Sequence, residues 1–170
     1  MRIHLEGRVR RLGDNINTDY VIASSRKRAT LDESVLKRYL FETVDPGFAQ
    51  SVRPDDLLVA GRNFGCGSAM EVAATVILAA GIKAVLAESF ARTFYRNAVN
   101  NGLIPVLCDT RAMKEGDRLS VGVTEAAVVV TDAASGKAVS GTLRSGIMLE
   151  ILERGGLVPY LRHYGRFPRR

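Results

Sequence analysis

A chain of 170 residues, 46% apolar and 25% charged, can bury a sizeable core and suits one domain spanning residues 1–170. Its formal net charge of +6 suits an anionic ligand, whereas 6% aromatics, no tryptophan and no RNA- or DNA-binding motif argue against nucleic acid. Two distant cysteines, Cys66 and Cys108, make neither a disulfide framework nor a metal site; the opening MRIHLEGRVR is no signal peptide; and the apolar run from Val72 to Ile82 is too short for a bilayer, so the expectation is a cytoplasmic protein independent of membranes.

Residues 2–12 alternate loosely and read as a strand. GDNINTDY follows as a turn-rich loop. SSRKRA, residues 24–29, reads as a loop carrying three consecutive bases. Thr30 and Glu33 have capping-box spacing, which predicts a helix from Leu31 to Phe41. VDPGFAQSVRPDD is a connection punctuated by proline and glycine. LLVAG reads as a short buried strand. Ser68 and Glu71 repeat the capping-box spacing ahead of Ala69–Ala80, which is apolar nearly all round and reads as a buried helix stopped by Gly81. KAVLAES is a strand, FARTFYRNAVNN a helix with Ser89 as N-cap and Gly102 as stop, and LIPVLCD another strand. DRLSVG, AAVVVTD and KAVSGTL are three short strands. From Ser145 onward the chain reads as one or two short helices broken by Gly155, Gly156 and Pro159. Strand and helix alternate over residues 56–108, which calls for an α/β fold: a parallel core sheet against helices, with additional β-strands.

The stretch GRNFGCGS, residues 61–68, carries the chemistry. A strand, a glycine-rich loop and a helix start make a place for an anion, because the first N–H groups of a helix lack partners. Gly65 and Gly67 let the backbone approach a ligand. No Lys-Ser or Lys-Thr follows, so the loop is not a phosphate-binding P-loop. Ser68 reads either as a helix cap or as a reactive hydroxyl. Cys66 reads either as a small residue in a tight loop or as a nucleophile, although His4 and His163 lie near the chain ends. Asp19 reads as a turn residue or as a functional acid. The bases 26–28 read as a solvated run or as a clamp for a dicarboxylate.

GDNINTD, GRNFGCGS, GIKAVLAESFARTFYRNAVNNGL and LEILERGGLVPYLRHYG, in this order from Arg8 to Phe167, resemble the small subunits of 3-isopropylmalate dehydratase, with homoaconitase small subunits nearly as similar and the swivelling domain of aconitase related to both. The resemblance implies a swivelling β/β/α domain. It implies a hydro-lyase that dehydrates and rehydrates a 2-hydroxy dicarboxylic or tricarboxylic acid, in leucine biosynthesis if the substrate is isopropylmalate. It also implies that this chain binds no cofactor and that a [4Fe–4S] cluster sits on a separate large subunit. By position, Ser68 is the catalytic base, Asp19 the acidic residue of the motif, and Arg28 the substrate-binding arginine of the following loop. Gly65, Cys66, Gly67, Ala69 and Met70 line the substrate. Two positions depart from the family pattern. Met70 replaces an arginine that grips a carboxylate, and Arg26-Lys27-Arg28-Ala29 replaces a more apolar loop with one arginine. These bases restore the missing charge from another side, or the substrate is a different malate, homocitrate-like or dimethylmalate-like. Arg28 is expected to matter most and Arg26 to be an outward, solvated charge. Two readings of other classes stand beside this one: a non-catalytic anion-binding module, and a self-contained enzyme using Cys66.

Overall fold

The structure, a computed structural model, describes residues 2–125, 127–143 and 146–168. Ala126 and Ser145, where a strand and the last helices are expected to begin, lie outside the described residues.

The first strand, β1 (Ile3–Arg11), pairs on both edges. Its C-terminal part runs parallel to β2 (Leu57–Val59), with Val9 opposite Leu57 and Arg11 opposite Val59. Its remaining length pairs antiparallel with β5 (Arg118–Val123), from Ile3 opposite Val123 to Arg8 opposite Arg118. β2 continues in parallel to β3 (Ala84–Ala87) and then to β4 (Ile104–Cys108). β4 turns antiparallel to β7 (Ala138–Thr142), which pairs with β6 (Val128–Asp132), and β6 with β5. The expected parallel core is therefore present, and the added strands close it into a seven-stranded barrel.

Each half carries the pattern its surroundings demand. β2 and β3 are buried along their whole length, so they read as unbroken apolar runs. Leu57, Val59, Ala84 and Leu86 enter one hydrophobic cluster with Val121, Val130 and Tyr160. Leu58, Val85 and Ala87 point the other way, into a second cluster with Phe64, Phe94 and Ile77. β6 alternates instead, with Val128 and Val130 buried and Val129 exposed, as in a strand with one face toward water.

The helices are α1 (Thr18–Val21), α2 (Ser24–Ala29), α3 (Glu33–Leu36), α4 (Phe48–Ser51), α5 (Val72–Ala79), α6 (Arg92–Asn101), α7 (Ile147–Glu153) and α8 (Leu157–Tyr164). Several depart from expectation. SSRKRA is a helix, α2, with its three bases in the last turn, where the carbonyl end of a helix favours positive charge. The helix expected over 31–41 is only α3 followed by a 3₁₀ turn, Lys37–Tyr39. Its cap is Asp32, whose carboxylate accepts from the Ser34 amide, while the Thr30 hydroxyl accepts from the Asp32 amide. α4 forms inside the expected connection. α6 starts after Ala91, and Ser89 accepts from the Asn63 amide instead of capping it. Pro159 falls in the first turn of α8, where its missing N–H costs nothing, so it does not break the helix.

Opposite the site, a buried ionic knot ties β1 to the start of β2. Arg8 Nε and Nη2 donate to both oxygens of Asp56 at 3.0 and 2.7 Å. Arg10 donates to Glu115 and Ser51 and stacks over Phe48. Asp56 is 2% exposed. Burial raises its pKa, but the Arg8 hydrogen bonds, the Arg53 amide and the two guanidinium charges outweigh that, and the net displacement is downward.

Candidate active site

The loops that follow β1, β2 and β3 come together beyond the carboxyl ends of these parallel strands, the usual place for ligands in such sheets. Backbone hydrogen bonds join them. The Gly61 amide donates to Gly13 O, Asn15 N to Arg62 O, Gly65 N to Ile16 O at 2.7 Å and Thr18 N to Cys66 O at 2.8 Å. Asn17 and Cys66 form a parallel bridge, and Phe64 forms another with Phe90. Side chains add to this: Asn63 Nδ2 donates to Asn15 Oδ1, and the Thr18 hydroxyl donates to Ser68 O at 2.9 Å.

The glycines are required by packing. Gly65 has φ +81°, and a Cβ there would stand 2.2 Å from Phe94 Cγ. Gly67 has φ +90°, and its Cβ would meet Asn17 Oδ1 at 2.4 Å. Beneath the loop, Phe64 meets Phe94 and Phe90 edge to face, and Phe90 stacks on Phe94. An aromatic floor supports a backbone that no larger residue could follow.

Ser68 is not a helix cap. α5 begins three residues beyond the expected Ala69, at Val72, and Glu71 precedes it without any side-chain cap. Glu71 accepts from Asn101 Nδ2 instead. The turn made by Met70 N donating to Ser68 O, with the Thr18 hydroxyl on the same carbonyl, holds Ser68 outside the helix. Its hydroxyl has no protein partner among the described residues and is exposed, like Gly67 and Ala69. The N–H groups of Gly67, Ser68 and Ala69 likewise donate to no protein acceptor among the described residues, whereas that of Cys66 is turned to the loop after β1 by the bridge to Asn17. A free hydroxyl beside three free amides is chemistry fit for an anion, on a surface open to a second molecule.

Asp19 lies at the start of α1. Its amide donates to Asn17 Oδ1, and its carboxylate accepts from the Ser24 hydroxyl at 2.6 Å. Asn17 thus links Asp19 to Gly67, while Ser24 ties Asp19 to α2. The three bases of α2 go three ways. Arg26 is no outward, solvated charge: its guanidinium grips Glu42 with two bonds of 2.7 and 2.9 Å and stacks 3.8 Å over Tyr39. The hydrogen bond to Glu42 raises its pKa above the ordinary value. Lys27, half-buried, sets its ammonium against the Met70 sulfur. Arg28 is exposed and makes no hydrogen bond or ion pair with the 65–70 loop among the described residues. The sequence marks Lys27 only as one of three bases, and Asn17, Thr18 and Ser24 only inside longer strings; the roles of Asn17 and Thr18 depend on pairing with a loop about fifty residues away, which no local spacing marks, and that of Ser24 on a side-chain bond to Asp19.

The cysteines do not fit an iron–sulfur cluster. Cys108 is buried in β4 among apolar side chains, where burial, with help from Asp109 and Glu88, pushes its thiol up to about 12, and two cysteines with one of them in the core do not supply a cluster's ligands. Cys66 is half-buried, with its carbonyl bound to Thr18. The histidines are no base for it: His4 sits beside Glu6, and His163 stands edge-on to Tyr164.

A barrel with its ligand loops at the carboxyl ends of parallel strands and a serine free of capping duty defines a class, and the comparisons place the chain in it. Residues 9–111 match the aconitase C-terminal domain family, and the chain belongs to that family. It is 40% identical to the methanogen homoaconitase small subunit of Methanocaldococcus jannaschii, over 93% of this chain and 91% of that protein. It is 42% identical to the 3-isopropylmalate dehydratase small subunit of Sulfolobus acidocaldarius, over 93% and 97%. A crystal structure of 3-isopropylmalate dehydratase from Methanocaldococcus jannaschii superposes with a TM-score of 0.90 at 38% identity, covering 96% of each chain.

Proposed function

We infer that this chain is the small subunit of a two-part hydro-lyase acting on a 2-hydroxy dicarboxylate or tricarboxylate, with isopropylmalate the first candidate. It would work as one swivel-type domain in the cytoplasm. Among the described residues no helix is long and apolar enough to cross a membrane. The observation that carries this reading is the free Ser68 hydroxyl among three unspent amides, those of residues 67–69, on an exposed loop. Half a site is built here, and its open side leaves room for a large subunit.

In this reading Ser68 Oγ takes the proton from the carbon beside a carboxylate. A free serine is a poor base, so the alkoxide form needs support from nearby donors, and the amides of 67–69 supply it. The bridge from Asn17 to Asp19 and Ser24 keeps the loop and α2 in register. Arg28, on the exposed face of α2, reads the substituent. The Lewis-acid chemistry belongs to a [4Fe–4S] cluster on the large subunit, since the cysteines here do not fit one.

Relatives with homoaconitase and with isopropylmalate/citramalate isomerase small-subunit names are equally similar, at 40% identity each. The substrate is therefore decided by assay. The chain is purified alone and with a cluster-bearing large subunit encoded beside it, and turnover is followed on a panel of substituted malates. Activity is expected only in the complex. Substantial turnover by the chain alone would refute this assignment.

A further inference from the structure

We propose that Lys27 is the cation that binds a substrate carboxylate next to Ser68, in place of the charge that Met70 does not supply; this rests on the hydro-lyase reading above. Three bases follow one another on α2, and their surroundings separate them. Arg26 is already neutralised by Glu42 and pinned by Tyr39. Arg28 is exposed and has no hydrogen bond or ion pair with the loop among the described residues. Lys27 alone reaches across to residue 70, two positions beyond Ser68. Its partner there is a thioether, a weak and neutral acceptor. Among the described residues no carboxylate lies within ion-pair distance of it. A half-buried ammonium is thus left with its charge unmatched, beside amides that are also unspent.

Such a cation gains from a carboxylate what the sulfur cannot give, because charge-assisted hydrogen bonds are about twice as strong as neutral ones. Met70 then acts as a rest for the empty ammonium. Its flexible, polarizable chain can yield the position when a ligand arrives. The arrangement also divides the work of α2. Lys27 holds a carboxylate shared by every substrate of the class, and Arg28 meets the part that varies.

The test uses the full chain with ¹³C-methyl methionine and titrates 3-isopropylmalate and citramalate in turn. Each acid is expected to shift the Met70 methyl signal saturably. Lys27→Ala is expected to weaken binding by about tenfold or more, as loss of a desolvated charge pair does, and Lys27→Arg to restore most of it. Amide shifts of Gly67 and Ala69 report binding independently, in case Met70 moves in the variant. In the reconstituted enzyme Lys27→Ala is expected to raise KM for all acids by a similar factor, whereas Arg28→Ala changes their ranking. Affinity and KM unchanged in folded Lys27→Ala would overturn the proposal while leaving the hydro-lyase reading intact. Lys27-dependent binding, with no turnover beside any large subunit, would sink that reading and leave the anion site standing.

Discussion

The parallel half of the barrel and its antiparallel half contain similar apolar residues but spend their connections differently. Between β1 and β4 the chain travels through helices and long loops, and every candidate site residue lies in those connections. Between β5 and β7 it turns back quickly, β6 alternates buried and exposed positions at Val128–Val130, β7 alternates exposed with partly buried ones, and no candidate site residue is present among the described residues. One half is a chassis for loops, the other a closure. The difference teaches that function here follows strand direction: only strands running the same way deliver three loop ends to one rim.

Ser68→Ala is expected to separate the halves most sharply. Turnover of the reconstituted enzyme should fall about 10³-fold, the scale of a lost general base. The hydroxyl has no protein partner among the described residues, so the urea midpoint should stay at the wild-type value. Val121→Ala, in the closing half, should do the reverse: a loss of about 2–3 kcal/mol in stability from a fully buried side chain, with the turnover of the surviving folded fraction unchanged. If Ser68→Ala unfolds the chain or Val121→Ala abolishes turnover, the division is wrong.

Gly65→Ala tests how tightly the rim is held. A methyl group 2.2 Å from the Phe94 ring, on a residue at φ +81°, should cost roughly 2–4 kcal/mol and displace the aromatic floor. Thermal unfolding and Gly67 amide shifts measure both effects.

Asp56→Asn probes the knot between β1 and the start of β2. Breaking the Arg8 pair should cost about 2–3 kcal/mol. The carboxyl's pKa is depressed in the fold, so the ionised form is what stabilises. That stability is fully present above the carboxyl's unfolded pKa and is lost as pH falls through the depressed one. Denaturation at pH 7 and at pH 3 should therefore differ less in Asp56→Asn than in wild type. The smallest effect is expected at Val129, 43% exposed on β6: Val129→Thr should change stability by less than about 0.5 kcal/mol and leave activity alone.

Much of this was legible in the sequence because periodicity and turn residues are local. The run from β2 to β4, the buried α5 and the end of α6 at Gly102 all announce themselves within a dozen residues. Barrel closure does not, since the pairing of Ile3–Arg8 with Arg118–Val123 joins segments more than a hundred residues apart. The Ser68–Glu71 spacing misled for a physical reason. A capping box needs helical backbone directly after the serine, and the Thr18 hydroxyl with the Met70 turn delays that backbone to Val72. Arg26 looked solvated because Glu42, sixteen residues away, comes beside it only once α2 folds.

α2 buries none of its six residues. Ser24, Arg26 and Lys27 are tied to Asp19, Glu42 and Met70, but Ser25, Arg28 and Ala29 are exposed and can be rewritten without endangering the fold, while Gly65 and Gly67 have almost no freedom to change. New substrates would then be reached by drift in a few exposed letters, read against a fixed grammar of loop and floor. Arg28 is one such letter, and the barrel would tolerate others.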